Sequence, residues 1–147
     1  MALRTGRFEA GTSHAALQEL LLGLLEYGTP FEAWCRMLEP LRRQAVRCWL
    51  RDLGVTDQAT VDAVAHATVP LPGPDWKGDA ARQLADWMRT WLGALGVTRD
   101  AEVSLSPSEQ SALDRERVRV LTVEGEIWAD MHLDDGAWRL ERLSPAG

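Results

Sequence analysis

The chain has 147 residues, 46% of them apolar, and a formal net charge of −6. A chain of this length buries about 70% of its unfolded surface, so one domain stands without a metal or disulfide staple. The charge runs +1 over residues 1–54, −2 over 55–100 and −5 over 101–147, which makes the C-terminal third a poor surface for a phosphate backbone. Tryptophan is the compositional outlier, with seven against one Tyr and two Phe. Large, partly buried rings are core more often than not, yet they also line pockets and interfaces.

Residues 1–12 carry Arg4, Gly6, Arg7 and Gly11 and little to bury, so a flexible arm is expected ahead of a single domain, 13–147. They lack the hydrophobic region of a secretion signal, and no apolar run is long enough to span a bilayer. Cys35 and Cys48 lie outside any C-x-x-C pair, with no histidine at ligand spacing. They read as reduced core thiols of a cytoplasmic protein, and no metal or cofactor is expected.

Ser13 is the expected cap of a first helix, about 14–27, with Leu17, Leu20, Leu21, Leu24 and Leu25 on one face. Gly28 ends it, and Thr29-Pro30-Phe31-Glu32 combines a capping box with proline at the first helical position. Pro40 opens a third helix or kinks the second. The run to Leu53 offers Leu41, Ala45, Cys48 and Trp49 to the core and stops at Gly54. Thr56 can cap a weaker helix, about 57–67, with small apolar positions Val61, Val64 and Ala65. Val69–Gly78, with three prolines and two glycines, excludes helix and central strand; it is a connector, or an ordered loop pinned by Trp76.

Asp79 caps the clearest helix, about 80–95, where Leu84, Trp87, Met88, Trp91, Leu92 and Leu95 keep the i, i+3, i+4 rule. It is expected to lie across the sheet with both indoles inside. Ala101–Leu105 is a candidate strand, and Ser106-Pro107-Ser108-Glu109 repeats the capping-box pattern, predicting a short helix to about Asp114. Val118–Leu143 then reads as three antiparallel strands. Asp135-Gly136 is a strong hairpin signal and Glu124-Gly125 a weaker one. Ile127, Ala129, Met131 and Leu133 fall on one face; Glu126, Trp128, Asp130 and His132 fall on the other.

No phosphate-binding glycine loop, G-x-S-x-G or H-E-x-x-H occurs in the sequence. Two constellations carry possible chemistry. On one strand face Asp130 could orient His132 as an acid–base pair beside Trp128, provided that face lines a cavity. Arg43, Arg47 and Arg51 stand four apart on one helix and could grip an anion or nucleic acid, although no aromatic residue interleaves them to stack a base. A solvated helix face is the plainer reading of that stripe.

Helices come first, then a long meander that ends in the phrase D-D-G-x-W-R-L-x-x-L, from Asp134 through Trp138 to Leu143. With the opening phrase Ala16–Pro40, it resembles the NTF2-like superfamily. That resemblance implies an α+β cone whose curved sheet wraps the helices and leaves a pocket at its open end. Members include isomerases, dehydratases, ligand binders and dimerisation modules, so it implies no particular activity or residue role.

These readings together predict an α+β domain: N-terminal helices packed on a C-terminal, mostly antiparallel curved sheet of about four strands. The preferred function is a non-catalytic small-molecule-binding or dimerisation module of NTF2-like type, with Trp76, Trp87, Trp91 and Trp128 around a groove. The expected partners are a second copy and a small apolar ligand, with nucleic acid disfavoured and no membrane. A small isomerase or hydrolase using Asp130 and His132 is one alternative; an accessory nucleic-acid binder using Arg43, Arg47 and Arg51 is another.

Overall fold

The structure, a computed structural model, describes residues 11–26, 28, 30–68 and 79–145. Among these, five helices precede five strands. The helices are α1 (Ser13–Leu25), α2 (Pro30–Cys35), α3 (Glu39–Asp52), α4 (Gln58–Thr68) and α5 (Asp79–Ala94). The strands are β1 (Ser104–Leu105), β2 (Glu109–Ala112), β3 (Arg115–Thr122), β4 (Gly125–Asp134) and β5 (Ala137–Pro145). The α+β class holds, with one open antiparallel sheet of five strands where about four were expected. Residues 1–10 of the expected arm, Thr29 of the capping box and the Val69–Gly78 segment with Trp76 lie outside the described residues.

The apolar run around Leu20–Leu25 puts α1 at the centre. Leu17, Leu20, Leu21, Leu22 and Leu24 are all buried, more than one face can hold, and a helix that is apolar around most of its girth needs neighbours on several sides. α1 has them: it meets β3 and β5 on one flank and α2 and α5 on others. Its cap is Thr12, whose Oγ1 accepts the Ala15 N–H at 3.2 Å. Ser13, the expected cap, is fully buried and donates to the Glu116 carboxylate on β3. Thr12 therefore belongs to the fold and not to an arm.

Pro40 opens α3, as one of the two readings had it, and α3 buries Leu41, Ala45, Val46, Trp49 and Leu50. For α4 the cap is Asp57, not Thr56: its Oδ2 accepts from both the N–H and the hydroxyl of Thr60. Those bonds hold the Asp57 carboxyl below its ordinary pKa.

α5 overturns an expectation. It packs on α1, α2 and α3 instead of lying across the sheet. Leu84, Met88 and Leu92 form its fully buried row, while Trp87 and Trp91, one row round the helix, are half-buried. The sheet's inner face is already taken by α1 and α3, so α5 finds its apolar partners on those helices.

The sheet order is β1-β3-β4-β5, with β2 also on β3. β1 pairs with the far end of β3 and β2 with its near end. Ser106 fills the gap between them: its N–H donates to the Arg119 carbonyl and its Oγ accepts the Arg119 N–H at 3.1 Å. His14 of α1 donates to the Ser106 carbonyl. The helix predicted for 106–114 is therefore absent, and β2 forms a hairpin with β3. The serine satisfies a strand amide where the capping-box pattern would satisfy a helical one, since such side chains serve either structure.

The predicted alternation on β4 holds from Ile127 to Met131: Ile127, Ala129 and Met131 are buried with Val118, Val120 and Leu140. Leu133, expected on the same face, is exposed at the end of the strand, beyond the cover of the helices. The β4–β5 turn has φ 51° at Asp135 and 78° at Gly136, the two positive angles that match strand twist in a two-residue hairpin. Beyond its chain neighbours, no atom lies within 4 Å of a Cβ built on Gly136, so Gly136→Ala tests backbone strain alone. Its unfolding free energy from chemical denaturation should fall by about 1–2 kcal/mol, while Asp135→Gly changes it far less. The free edge of β5 is covered at one point: the turn after α2 bridges Met37 to Leu140, with Leu38 N–H to the Leu140 carbonyl and Leu140 N–H to the Arg36 carbonyl. Such cover limits pairing with another chain.

Candidate functional site

Helical spacing builds the first wall of a groove. Leu41, Gln44, Ala45, Cys48 and Arg51 recur at three and four along α3 and so share one face. α5 supplies Trp87 and Trp91, four apart, and β5 supplies Arg142 and Leu143. Together they enclose about 310 Å³. The two indoles lie nearly parallel, 12° between planes and 6.3 Å between centroids. Trp87 is fixed by its Nε1–H, which donates to Asp52 Oδ2 at 2.7 Å. Leu41 and Ala45 are buried at the base, and Arg51 and Arg142 stand at the mouth with side chains 74% and 66% exposed. Cys48 is a free, half-buried thiol in the wall, where the sequence reading had it in the core. Cys35 is also free and half-buried, and burial raises its thiol pKa.

The four tryptophans expected at a groove divide. Trp87 and Trp91 are in it; Trp76 lies outside the described residues; Trp128 is on the outer face of the sheet. There the Arg117 guanidinium sits 3.9 Å above the Trp128 ring, in cation–π geometry. The Trp128 Nε1–H is buried with no hydrogen-bond acceptor. Its opposite neighbour on β3 is Arg119, so the indole packs among arginine stems, apart from the groove that Trp87 and Trp91 line.

Asp130 and His132 do not form a pair. Residues two apart on a strand stand roughly 7 Å from each other, and each has found a cross-strand partner. Asp130 accepts from Arg117 at 2.8 Å and from Arg142 at 3.1 Å. His132 Nε2 meets Asp114 Oδ2 at 3.0 Å, and that bond depresses the Asp114 pKa. Asp114 lies in the β2–β3 turn. It became a partner only when that segment formed a hairpin, so helical spacing pointed away from it. The polar face is a lattice of such pairs, with Arg119 near Glu109 and Glu126, Arg115 near Glu141 and Arg139 near Asp134.

The arginine stripe is likewise split. Arg43 bonds Glu39 at 2.9 Å one turn back, Arg47 is exposed, and Arg51 joins the groove mouth. Among the described residues no group of three or more His, Cys, Asp or Glu side chains could hold a metal ion, and no helix is long and apolar enough to cross a membrane. Of the groove residues sequence reasoning assembled only Trp87 and Trp91; it gave Leu41, Ala45 and Cys48 to the core and did not bring Gln44, Arg51, Arg142 and Leu143 to them. Helical phase could have grouped the α3 set, but nothing local brings β5 beside it. Compared with known proteins, the chain matches no family model, no curated protein and no solved structure.

Proposed function

We propose that the chain is a non-catalytic small-molecule-binding module whose site is the groove between α3, α5 and β5. The observation that carries this reading is the wall made by Trp87 and Trp91: two parallel indoles, one locked by Asp52, facing an apolar base of Leu41, Ala45 and Leu143. A concave volume near 300 Å³ with few polar groups is the small end of ligand sites, and rigid aromatic walls lower the entropy lost on binding.

Titration with the neutral fluorophore N-phenyl-1-naphthylamine tests the reading. A saturable 1:1 rise in emission is expected, weakened about tenfold in Trp91→Ala because a stacking face is removed. Non-saturable emission, or an unchanged affinity in Trp91→Ala, would end it. Dimerisation through the same groove is the competing occupant. Sedimentation of the free protein distinguishes them: a groove filled by a second copy gives a dimer that the fluorophore dissociates.

The NTF2-like kinship belongs with this proposal. In its favour are the order of helices then meander and the closing phrase from Asp134 to Leu143. Against it, α4 stands where that cone places its first strand.

A further inference from the structure

The groove's polar groups are unevenly signed. Among the described residues its lining holds two arginines, Arg51 on α3 and Arg142 on β5, and no carboxylate, in a protein of net charge −6. The acids next to them already hold hydrogen-bond partners. Asp52 Oδ2 accepts from Trp87 at 2.7 Å, and Arg51 Nε reaches only the other oxygen, at 4.0 Å. Asp130 is shared: Arg117 holds Oδ1 at 2.8 Å, and Arg142 takes Oδ2 through Nε and Nη2 at 3.3 and 3.1 Å. Arg142 could turn to a ligand while Asp130 keeps Arg117, and two-thirds of its side chain is already in water.

We propose that the natural ligand is an amphipathic monoanion, a flat apolar body with one carboxylate. The body lies against Trp87 and Trp91 over Leu41, Ala45 and Leu143. The carboxylate sits at the mouth beside Arg51, and Arg142 reaches it by turning away from Asp130. The planar fork of arginine suits a carboxylate, and one single charge matches a site in which one of two cations is already half committed. A neutral apolar ligand would leave both arginines to their neighbouring carboxylates, Asp52 and Asp130. A duplex phosphate backbone would also meet the sheet half of the chain, which carries −5 over residues 101–147. The proposal rests on the groove being a ligand site, and the experiment separates the two claims.

Calorimetric titration of the whole chain with 2-naphthoate and with uncharged 2-naphthamide is the test. The carboxylate is expected to bind about tenfold tighter than the amide, as charge-assisted hydrogen bonds to arginine exceed neutral ones. In Arg51→Gln/Arg142→Gln that ratio should fall to near one, whereas Arg47→Gln, exposed and outside the groove, keeps it. Both substituted side chains are mostly solvent-exposed, so the variant should fold. Equal binding of the two probes, or a ratio that survives Arg51→Gln/Arg142→Gln, would overturn the anion preference and leave the groove as a ligand site. Binding of neither probe would overturn both.

Discussion

Replacing Trp34 with alanine should cost about 3–5 kcal/mol, the usual range for a large ring deleted from a core. Trp34 is 0% exposed and heads the fully buried side chains of the described residues. It sits on α2, a helix of six residues, too short to persist without packing. With total stability of about 5–15 kcal/mol for a typical domain, the variant should be near the edge of folding. The measurement is the midpoint of guanidinium unfolding, with the slope compared to confirm that the compact state is unchanged. A second readout follows from topology. The α2 exit carries the Met37–Leu140 bridge that covers β5, so amide exchange at Leu38 and Leu140 should quicken as well. A loss below about 1 kcal/mol would mean that the indole does not hold α2 to the core.

Opposite faces of β4 should respond in opposite ways to a change of polarity. Ala129 is fully buried opposite Val118 and Leu143, while His132, three residues along, lies on the polar face beside Asp114. Ala129→Asp places an unpaired carboxylate among Val118, Met131 and their neighbours, and the cost is several kcal/mol or loss of folding. His132→Asn should change stability by less than about 1 kcal/mol, because it removes one solvent-exposed pair. Thermal and chemical unfolding of the two variants side by side is the check; tolerance of Ala129→Asp would place the register one residue out. The contribution of the His132–Asp114 bond also has a predictable sign with pH. The Asp114 pKa is depressed in the fold, so the stabilisation is present above the carboxyl's ordinary range and is lost as pH falls through the depressed value.

Much of the fold was legible along the chain, since helix existence and strand alternation are local. Leu84, Met88 and Leu92 mark a helix by spacing, and Ile127, Ala129 and Met131 mark a half-buried strand. Asp135-Gly136 announces its turn because few residues adopt positive φ. The errors cluster where one local pattern serves two structures. Ser106 and Glu109 have the spacing of a helix cap, but Ser106 bonds Arg119 and β2 pairs with β3. Thr12 and Ser13 are both competent caps, and contact with Glu116 takes Ser13 out of the choice.

The candidate site was half legible. Composition singled out the tryptophans, yet it could not divide Trp87 and Trp91 from Trp128, because a period shows which side of an element is apolar and not what lies against that side. Sequence alone determined the element types other than β2, the inner and outer faces of β4 as far as Met131 and the sharp hairpin at Asp135-Gly136, since each depends on dihedral preference or side-chain period within a few residues. Tertiary structure alone decided that α1 and α3 rather than α5 cover the sheet, that Asp114 rather than Asp130 meets His132, and that Arg51 and Arg142 face one groove. Those outcomes depend on pairing between segments as much as a hundred residues apart or more, where many partners of similar chemistry compete and packing of the whole chain selects among them.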